Sequence, residues 1–305
     1  MTRMRVGISI ASAQPGATDA EAPARVLARA RAAAAAGLDS LTLGDHHSNG
    51  PMPYVQNVPM LGRLLAEWDT RPAGCLFLVP LWNPVLLAEQ IGTLAAIAAG
   101  PFIVQTGLGS RGEIEAMGMQ VPHRARRFEA SIAVVKALLA GERVDDEALG
   151  VHNAAIAPLP PHGVEWWFGT HTDEGLDRCA RLADAWYANA DVDAEMAAEQ
   201  LPRYLAACER HDVTPARIAV RKDVFITDDD TRGVEVGQRL IDAGYRGGWG
   251  RGAVAFGSVD HVVEQLRAFA ELGFTDVIIR TMVGVEQDEA VRSIELAGQV
   301  ASAFS

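Results

Sequence analysis

The sequence predicts an α/β chain built as a (β/α)8 TIM barrel with insertion loops, and three observations carry that prediction. Short apolar, β-branched runs alternate with longer helical ones, the alternation repeats eight times, and no low-complexity linker divides the 305 residues. Eight such units close into a barrel, whereas a doubly wound sheet stops at about five or six strands. With 49% hydrophobic residues the chain supports one large core, so residues 1–305 are read as a single domain.

The first strand is expected over 4–10. A helix over 22–36 follows, with Val26, Leu27 and Ala30 at helical spacing and Gly37 as its C-terminal stop. The second strand is placed at 40–43 and its helix at 59–68. The third strand, 74–79, is apolar throughout, as a parallel strand buried on both faces should be. Asn83-Pro84 opens a helix to residue 99, with proline in the first turn. A fourth strand at 102–106 ends in Gly107-Leu108-Gly109, and the helix Arg124–Leu139 carries Phe128, Ile132, Val135 and Leu139 in one stripe.

The fifth and sixth strands are expected at 166–168 and 185–187, followed by helices over Asp173–Leu182 and 194–211. Strands at 218–226 and 276–280, with helices at 232–243 and 288–303, complete the set. Two stretches interrupt it, 141–162 and 244–257. The second holds Gly244, Gly247, Gly248, Gly250, Gly252 and Gly257 around Trp249, and reads equally as a mobile lid or a flexible surface excursion.

A net charge of −12 repels phosphate backbones and anionic lipid, which argues against nucleic-acid and membrane partners. No stretch approaches the roughly 20 apolar residues of a membrane span, and residues 1–8 lack a signal-peptide pattern. Cys75, Cys179 and Cys208 are widely spaced and odd in number, which fits reduced thiols and a cytoplasmic setting.

In a barrel the chemistry belongs to loops after strands. The densest polar cluster there is Gly44-Asp45-His46-His47. An aspartate beside a histidine can fix its tautomer and raise its pKa, making an acid–base group near neutral pH. Such a pair in isolation more often caps a turn; its place at a strand's C-terminal end turns the reading to catalysis. Adjacent side chains diverge, so Asp45 and His46 are taken as the catalytic pair and His47 as the rim. Gly169-Thr170-His171-Thr172 precedes a helix and exposes backbone N–H groups as an anion cradle would, although Asp173 and Glu174 oppose a phosphate there. Gly107 permits close approach of a flat ring or simply a tight turn. Leu81, Trp82, Met52, Tyr54, Trp249 and Met282 are candidate pocket walls for an apolar ligand. The histidines His123, His152, His162, His211 and His261 show no ligand spacing, and Ile8-Ser9-Ile10 stands where a barrel hydrolase carries His-x-His; no metal is expected.

Taken in order, Ala35-Ala36-Gly37-Leu38-Asp39-Ser40-Leu41-Thr42-Leu43-Gly44-Asp45-His46-His47, Asn83-Pro84-Val85-Leu86-Leu87-Ala88-Glu89-Gln90, Gly107-Leu108-Gly109, Glu115-Ala116-Met117-Gly118, Arg124-x-Arg126-Arg127-Phe128-Glu129, Arg181-Leu182-Ala183-Asp184-Ala185-Trp186 and Gly257-Ser258-Val259-Asp260-His261-Val262 resemble the bacterial luciferase-like family of flavin- and deazaflavin-dependent barrel oxidoreductases. The resemblance covers essentially the whole chain. It implies an enzyme with F420 or FMN as cofactor, a small organic substrate, and a homodimer. It also implies a non-prolyl cis peptide at Leu76–Phe77 backing the ring, Gly107 close to the ring, and Gly169, Thr170, His171 and Thr172 near the cofactor phosphate. Departures are Ala98-Ala99-Gly100-Pro101 before the fourth strand and Gly169-Thr170 in place of the family's paired glycines.

Asp-His after the second strand leans to the branch using F420 for hydride transfer, with an FMN-dependent monooxygenase using O2 as the alternative. A barrel glycosidase, which would need two carboxylates such as Asp45 and Glu113 across the barrel mouth, and a non-catalytic flavin-binding protein are more distant. Only 6% of the chain is aromatic, which argues against a sugar-lined groove.

Overall fold

A computed structural model describes residues 3–119, 123–248 and 250–305; Trp249, expected at the centre of the glycine-rich segment, lies outside them. In chain order the elements are β1 (Arg5–Ile10), α1 (Glu21–Ala35), β2 (Leu41–Leu43), α2 (Asn57–Leu64), β3 (Ala73–Leu78), α3 (Pro84–Ile97) and β4 (Phe102–Gly107). Then come α4 (Arg111–Ala116), α5 (Arg124–Leu139), β5 (Val144–Asp146), β6 (Val151–Ala154), β7 (Val164–Phe168), α6 (Asp173–Leu182), β8 (Ala185–Ala188) and α7 (Ala194–Arg210). The last are β9 (Arg217–Ile226), α8 (Asp230–Asp242), β10 (Val254–Gly257), α9 (Val259–Leu272), β11 (Asp276–Thr281) and α10 (Gln287–Ala303). The strands β1, β2, β3, β4, β7, β8, β9 and β11 stand where eight were expected, in the element order of a (β/α)8 barrel.

The chain groups into two compact units, residues 1–11, 24–41 and 166–305 in the first and 12–23 and 42–165 in the second. In the first, β7, β8, β9, β11 and β1 pair in parallel, with Trp167 opposite Ala185, Tyr187 opposite Ala219, Asp223 opposite Arg280 and Arg5 opposite Asp276. The short β10 lies along the C-terminal half of β9, Phe256 opposite Phe225. Phe225, Val236, Tyr245, Ala253, Val254, Phe256 and Met282 bury one another there. Met282 is therefore core rather than pocket wall. The described residues of 244–257 are likewise not a free excursion: Tyr245 and Ala253 are buried and the last four residues are strand.

In the second unit β3 pairs with β4 in parallel, Cys75 opposite Val104, and nearly every residue of both is buried. Gly74 is needed in that ladder, because a Cβ there would sit 1.8 Å from the Ile103 carbonyl oxygen. The 141–162 stretch contains an antiparallel hairpin, β5–β6. Asn83 caps α3 by accepting from the Val85 and Leu86 amides, with Pro84 in the first turn as expected.

Two helices were misjudged from sequence. The α2 helix starts at Asn57 and ends at Leu64, short of the expected 68, because the chain turns there and the Trp68 indole donates to the Arg71 carbonyl. The α4 helix was not anticipated at all, yet Ser110-Arg111-Gly112-Glu113 is a complete capping box: Ser110 Oγ accepts from the Glu113 amide and the Glu113 carboxylate accepts from the Ser110 amide.

Candidate active site

The chain leaves β2 at Leu43, and two residues later Asp45 is fully buried. Burial of a carboxylate demands partners, and Asp45 Oδ2 has two: the Leu78 amide at 2.8 Å and the Trp82 indole N–H at 3.0 Å. Its Oδ1 lies 3.3 Å from His47 Nε2, an ion-pair distance at which neither atom has an aligned hydrogen bond. The carboxylate thus joins the β2 loop to the end of β3 and the turn after it. Trp82 packs edge-on to Phe77, with ring centroids 5.5 Å apart.

The histidines divide differently from the expected Asp45–His46 pair. His47 is the partner of Asp45; its pKa is raised, first by the Asp45 contact and against its own desolvation. His46, half exposed, turns to Glu113, with Nδ1 at 2.8 Å from Oε1. Adjacent side chains point apart, as anticipated, and the carboxylate facing His46 comes from α4. Tyr54 stands edge-on to the His46 ring at 5.9 Å, and Gln56 donates to the His46 carbonyl.

Glu113 was missed as a partner of His46, although its capping box is legible in sequence. Burial works to raise its pKa, but hydrogen bonds from Ser110, His46 and the His47 amide prevail and hold it at about 2. An ionised Glu113 can only accept, so the Nδ1 of His46 carries the proton and a neutral His46 presents Nε2 as an acceptor. The arrangement can therefore take a proton from a bound group at Nε2 and return it.

A pH consequence follows from Glu113. Its pKa in the folded chain lies below the ordinary 4.5, so the stability it contributes is complete above that value and is lost as pH falls toward about 2. The urea midpoint of the wild type should decline across that window more steeply than that of Glu113→Gln; parallel declines would remove Glu113 from the acid response. His47 acts in the opposite sense: its raised pKa stabilises at low pH, and the contribution fades as pH rises through the folded value.

The residues expected to meet a ring fall in the same unit. Leu76 is half-buried and its carbonyl accepts from Asn57 Nδ2 at 2.7 Å. Phe77 is fully buried, so its side chain supports Trp82 and only its backbone is left to line a site. The expected cis bond between the two is trans; the cis bonds among the described residues are Gly50–Pro51 and Ala157–Pro158. The strand keeps its register there, Leu76 opposite Gln105 and Phe77 opposite Thr106, with the bond in the form that non-prolyl peptides favour by about 2.5–4 kcal/mol. Gly107, half-buried at the end of β4, would bring an added Cβ to 3.0 Å from Leu78 Cδ2 and 3.8 Å from Leu76 Cδ1, so a side chain there would press on both leucines and the glycine keeps the strand end bare. A flat ring system fits such a bare strand end beside Leu76. Cys75 is buried, and desolvation raises its thiol pKa well above the ordinary value, which makes it inert.

In the first unit, Gly169, His171 and Thr172 are exposed and Thr170 half-buried at the start of α6. Thr172 caps the helix by accepting from the Gly175 amide at 3.1 Å, and the Thr170 carbonyl accepts from the Trp186 indole at 3.0 Å. Among the described residues no cluster of three or more His, Cys, Asp or Glu side chains could hold a metal ion, and no helix is long and apolar enough to cross a membrane.

Comparison with known proteins adds an independent line. A family model described as luciferase-like monooxygenase matches residues 4–276. An F420-dependent glucose-6-phosphate dehydrogenase of Beutenbergia cavernae is 25% identical over 294 residues, covering 84% of this chain and 87% of that protein. A protein of the same name from Microbacterium testaceum is 27% identical, but there the match spans only 52% of its length. Among solved structures, the coenzyme F420-dependent tetrahydromethanopterin reductase of Methanopyrus kandleri superposes with a TM-score of 0.77 at 16% identity, over 99% of this chain and 100% of that one. The oxygenating constituent of 3,6-diketocamphane monooxygenase from Pseudomonas putida, solved with FMN, gives 0.77 at 17% identity over 98% of each. These likenesses show a shared (β/α)8 barrel fold.

Proposed function

This chain belongs to the luciferase-like monooxygenase family, whose model spans most of its length, and from that premise we propose that it is an F420-dependent oxidoreductase acting on a small, largely apolar organic substrate. The observation that carries the proposal is the His46–Glu113 contact, a half-exposed histidine with a fixed tautomer at the end of a barrel strand. When bound, the deazaflavin supplies or accepts a hydride. Everything else falls to the protein. His46 Nε2 takes the proton from a substrate hydroxyl during oxidation or returns it to the carbonyl oxygen during reduction. Glu113 orients His46 through Nδ1. Asp45 fixes the loop that carries His46 and the β3 end that carries Leu76, while Leu76, the Phe77 backbone and Gly107 give the ring a surface to lie on.

The F420 reading is supported by the Asp45-His46 sequence and by the name of the relative aligned over 84% of this chain. The FMN reading, a monooxygenase using O2, is supported by the fold neighbour solved with FMN. The exposed start of α6, Gly169 to Thr172, is proposed as a contact for the cofactor phosphate. We further propose that the chain works as one domain, in a homodimer, in the cytoplasm.

Titration of the purified protein with F420 and with FMN, each followed by cofactor fluorescence, decides the first point. Tight binding of F420 with little affinity for FMN is expected. The reverse order, with substrate-dependent O2 uptake, would replace the proposal by the monooxygenase reading.

A further inference from the structure

The helix α5 opens against its own dipole. Its first residue is Arg124, and no acidic side chain stands in its first turn. A cation at the positive end of a helix is unfavourable, so the reason for this arginine lies in what it touches. Arg124 is half-buried, and its Nη1 donates to the Gly109 carbonyl at 2.7 Å, back across 15 residues of chain. That carbonyl is one end of a rigid unit. The C=O of Gly109 and the N–H of Ser110 belong to one planar peptide and point in opposite directions. The Ser110 N–H donates to Glu113 Oε2 at 2.9 Å, and Glu113 Oε1 lies 2.8 Å from His46 Nδ1. A single peptide is thus gripped at its oxygen by a guanidinium and at its nitrogen by the carboxylate that faces His46.

The peptide needs such a grip. Gly109 stands in the left-handed region at φ 73°, where glycine is at ease but its backbone does little to fix the plane that follows. A Cβ there would come to 3.3 Å from Leu81 Cδ1, so a bulkier residue could not supply the stiffness. Turning the plane over would withdraw the Ser110 N–H from Glu113 and bring a carbonyl oxygen toward the carboxylate. Charge adds to geometry. A cation on the carbonyl oxygen polarises the amide and strengthens the hydrogen bond that its N–H gives. Desolvation works to raise the Glu113 pKa, and hydrogen bonds from Ser110 lead the contacts that bring it down to about 2. Arginine keeps its charge at any physiological pH, so the grip does not lapse where the histidines titrate.

We propose that Arg124 is a positioning residue of the proton-transfer site: its hold on the Gly109–Ser110 peptide aims the Glu113 carboxylate at His46 and keeps the His46 proton on Nδ1. Arg124 acts through the peptide and Glu113. The inference rests on the reading of His46 as the proton-transfer group, and adds the residue that governs which ring nitrogen is left to act.

Nitrogen-15 NMR of the histidine rings reads the tautomer directly in the purified protein, without substrate or cofactor, and His46→Gln identifies the His46 signals. At a pH where the ring is neutral, the wild type should show a protonated Nδ1 and a bare Nε2. Arg124→Met keeps an apolar stem and removes the donors. It should mix the two tautomers, and the Glu113 carboxyl, followed by carbon-13 NMR, should titrate about one pH unit higher. Arg124→Lys restores a cation of similar reach and should return the tautomer most of the way to that of the wild type. Arg124→Gln, shorter and uncharged, should behave as Arg124→Met and serves if that variant does not fold. An unmoved tautomer in a folded Arg124→Met or Arg124→Gln overturns the proposal. So does a shift that Arg124→Lys shares in full, which places the effect in packing rather than charge. Neither measurement needs turnover, so the two readings fail separately: full activity of His46→Ala removes the proton-transfer reading, and an unmoved tautomer removes Arg124 alone.

Discussion

Asp45→Ala is expected to destabilise the protein by about 3–5 kcal/mol, the cost of breaking a buried charged network by removing one partner. Truncation leaves the buried Leu78 amide and the half-buried Trp82 indole without this acceptor, and removes the carboxylate facing His47. Asp45→Asn should cost less, because an amide oxygen can still accept from Leu78 or Trp82, though its NH2 group now needs acceptors of its own. Urea unfolding of both variants measures the effect. A loss below about 1 kcal/mol for Asp45→Ala would mean that the loop rearranges and that Asp45 does not hold β2 to β3.

The second large effect is on turnover. His46→Ala should lower kcat by roughly 10²–10⁴-fold, the usual contribution of a positioned proton-transfer group, while leaving the fold intact because the side chain is half exposed. Glu113→Gln should fall between the two, since an amide can still meet Nδ1 but no longer fixes which ring nitrogen carries the proton. The comparison has to be made with bound cofactor confirmed for each variant. Full turnover by a cofactor-loaded His46→Ala enzyme would take His46 out of the mechanism and leave Glu113 as the cap of α4 alone.

The barrel was legible because its signals are local and repeated. Buried parallel strands such as β3 read as unbroken apolar runs, and Asn83-Pro84 and Gly37 mark helix ends through backbone chemistry that needs no tertiary context. The loop after β2 was legible for the same reason, as a polar cluster at a strand end. The partner of each histidine was not. Asp45, His46 and His47 are consecutive, and only the side-chain directions set by the loop decide that Asp45 faces His47. The partner of His46 comes from a helix 67 residues further on. Glu113 could have been anticipated as a helix cap from Ser110-x-x-Glu113, but not as the carboxylate beside His46. β10 escaped notice because a four-residue strand amid glycines has too short a period to register.

The capping box of α4 has a consequence beyond the helix it starts. One carboxylate serves two masters: Oε2 of Glu113 accepts from the Ser110 amide to begin α4, and Oε1 accepts from His46. Fraying of one short helical turn and loss of the acid–base geometry are therefore a single event. A change at Ser110 would be inherited as a catalytic defect, and the thermal limit of activity would be set by the melting of six residues before the barrel itself gives way.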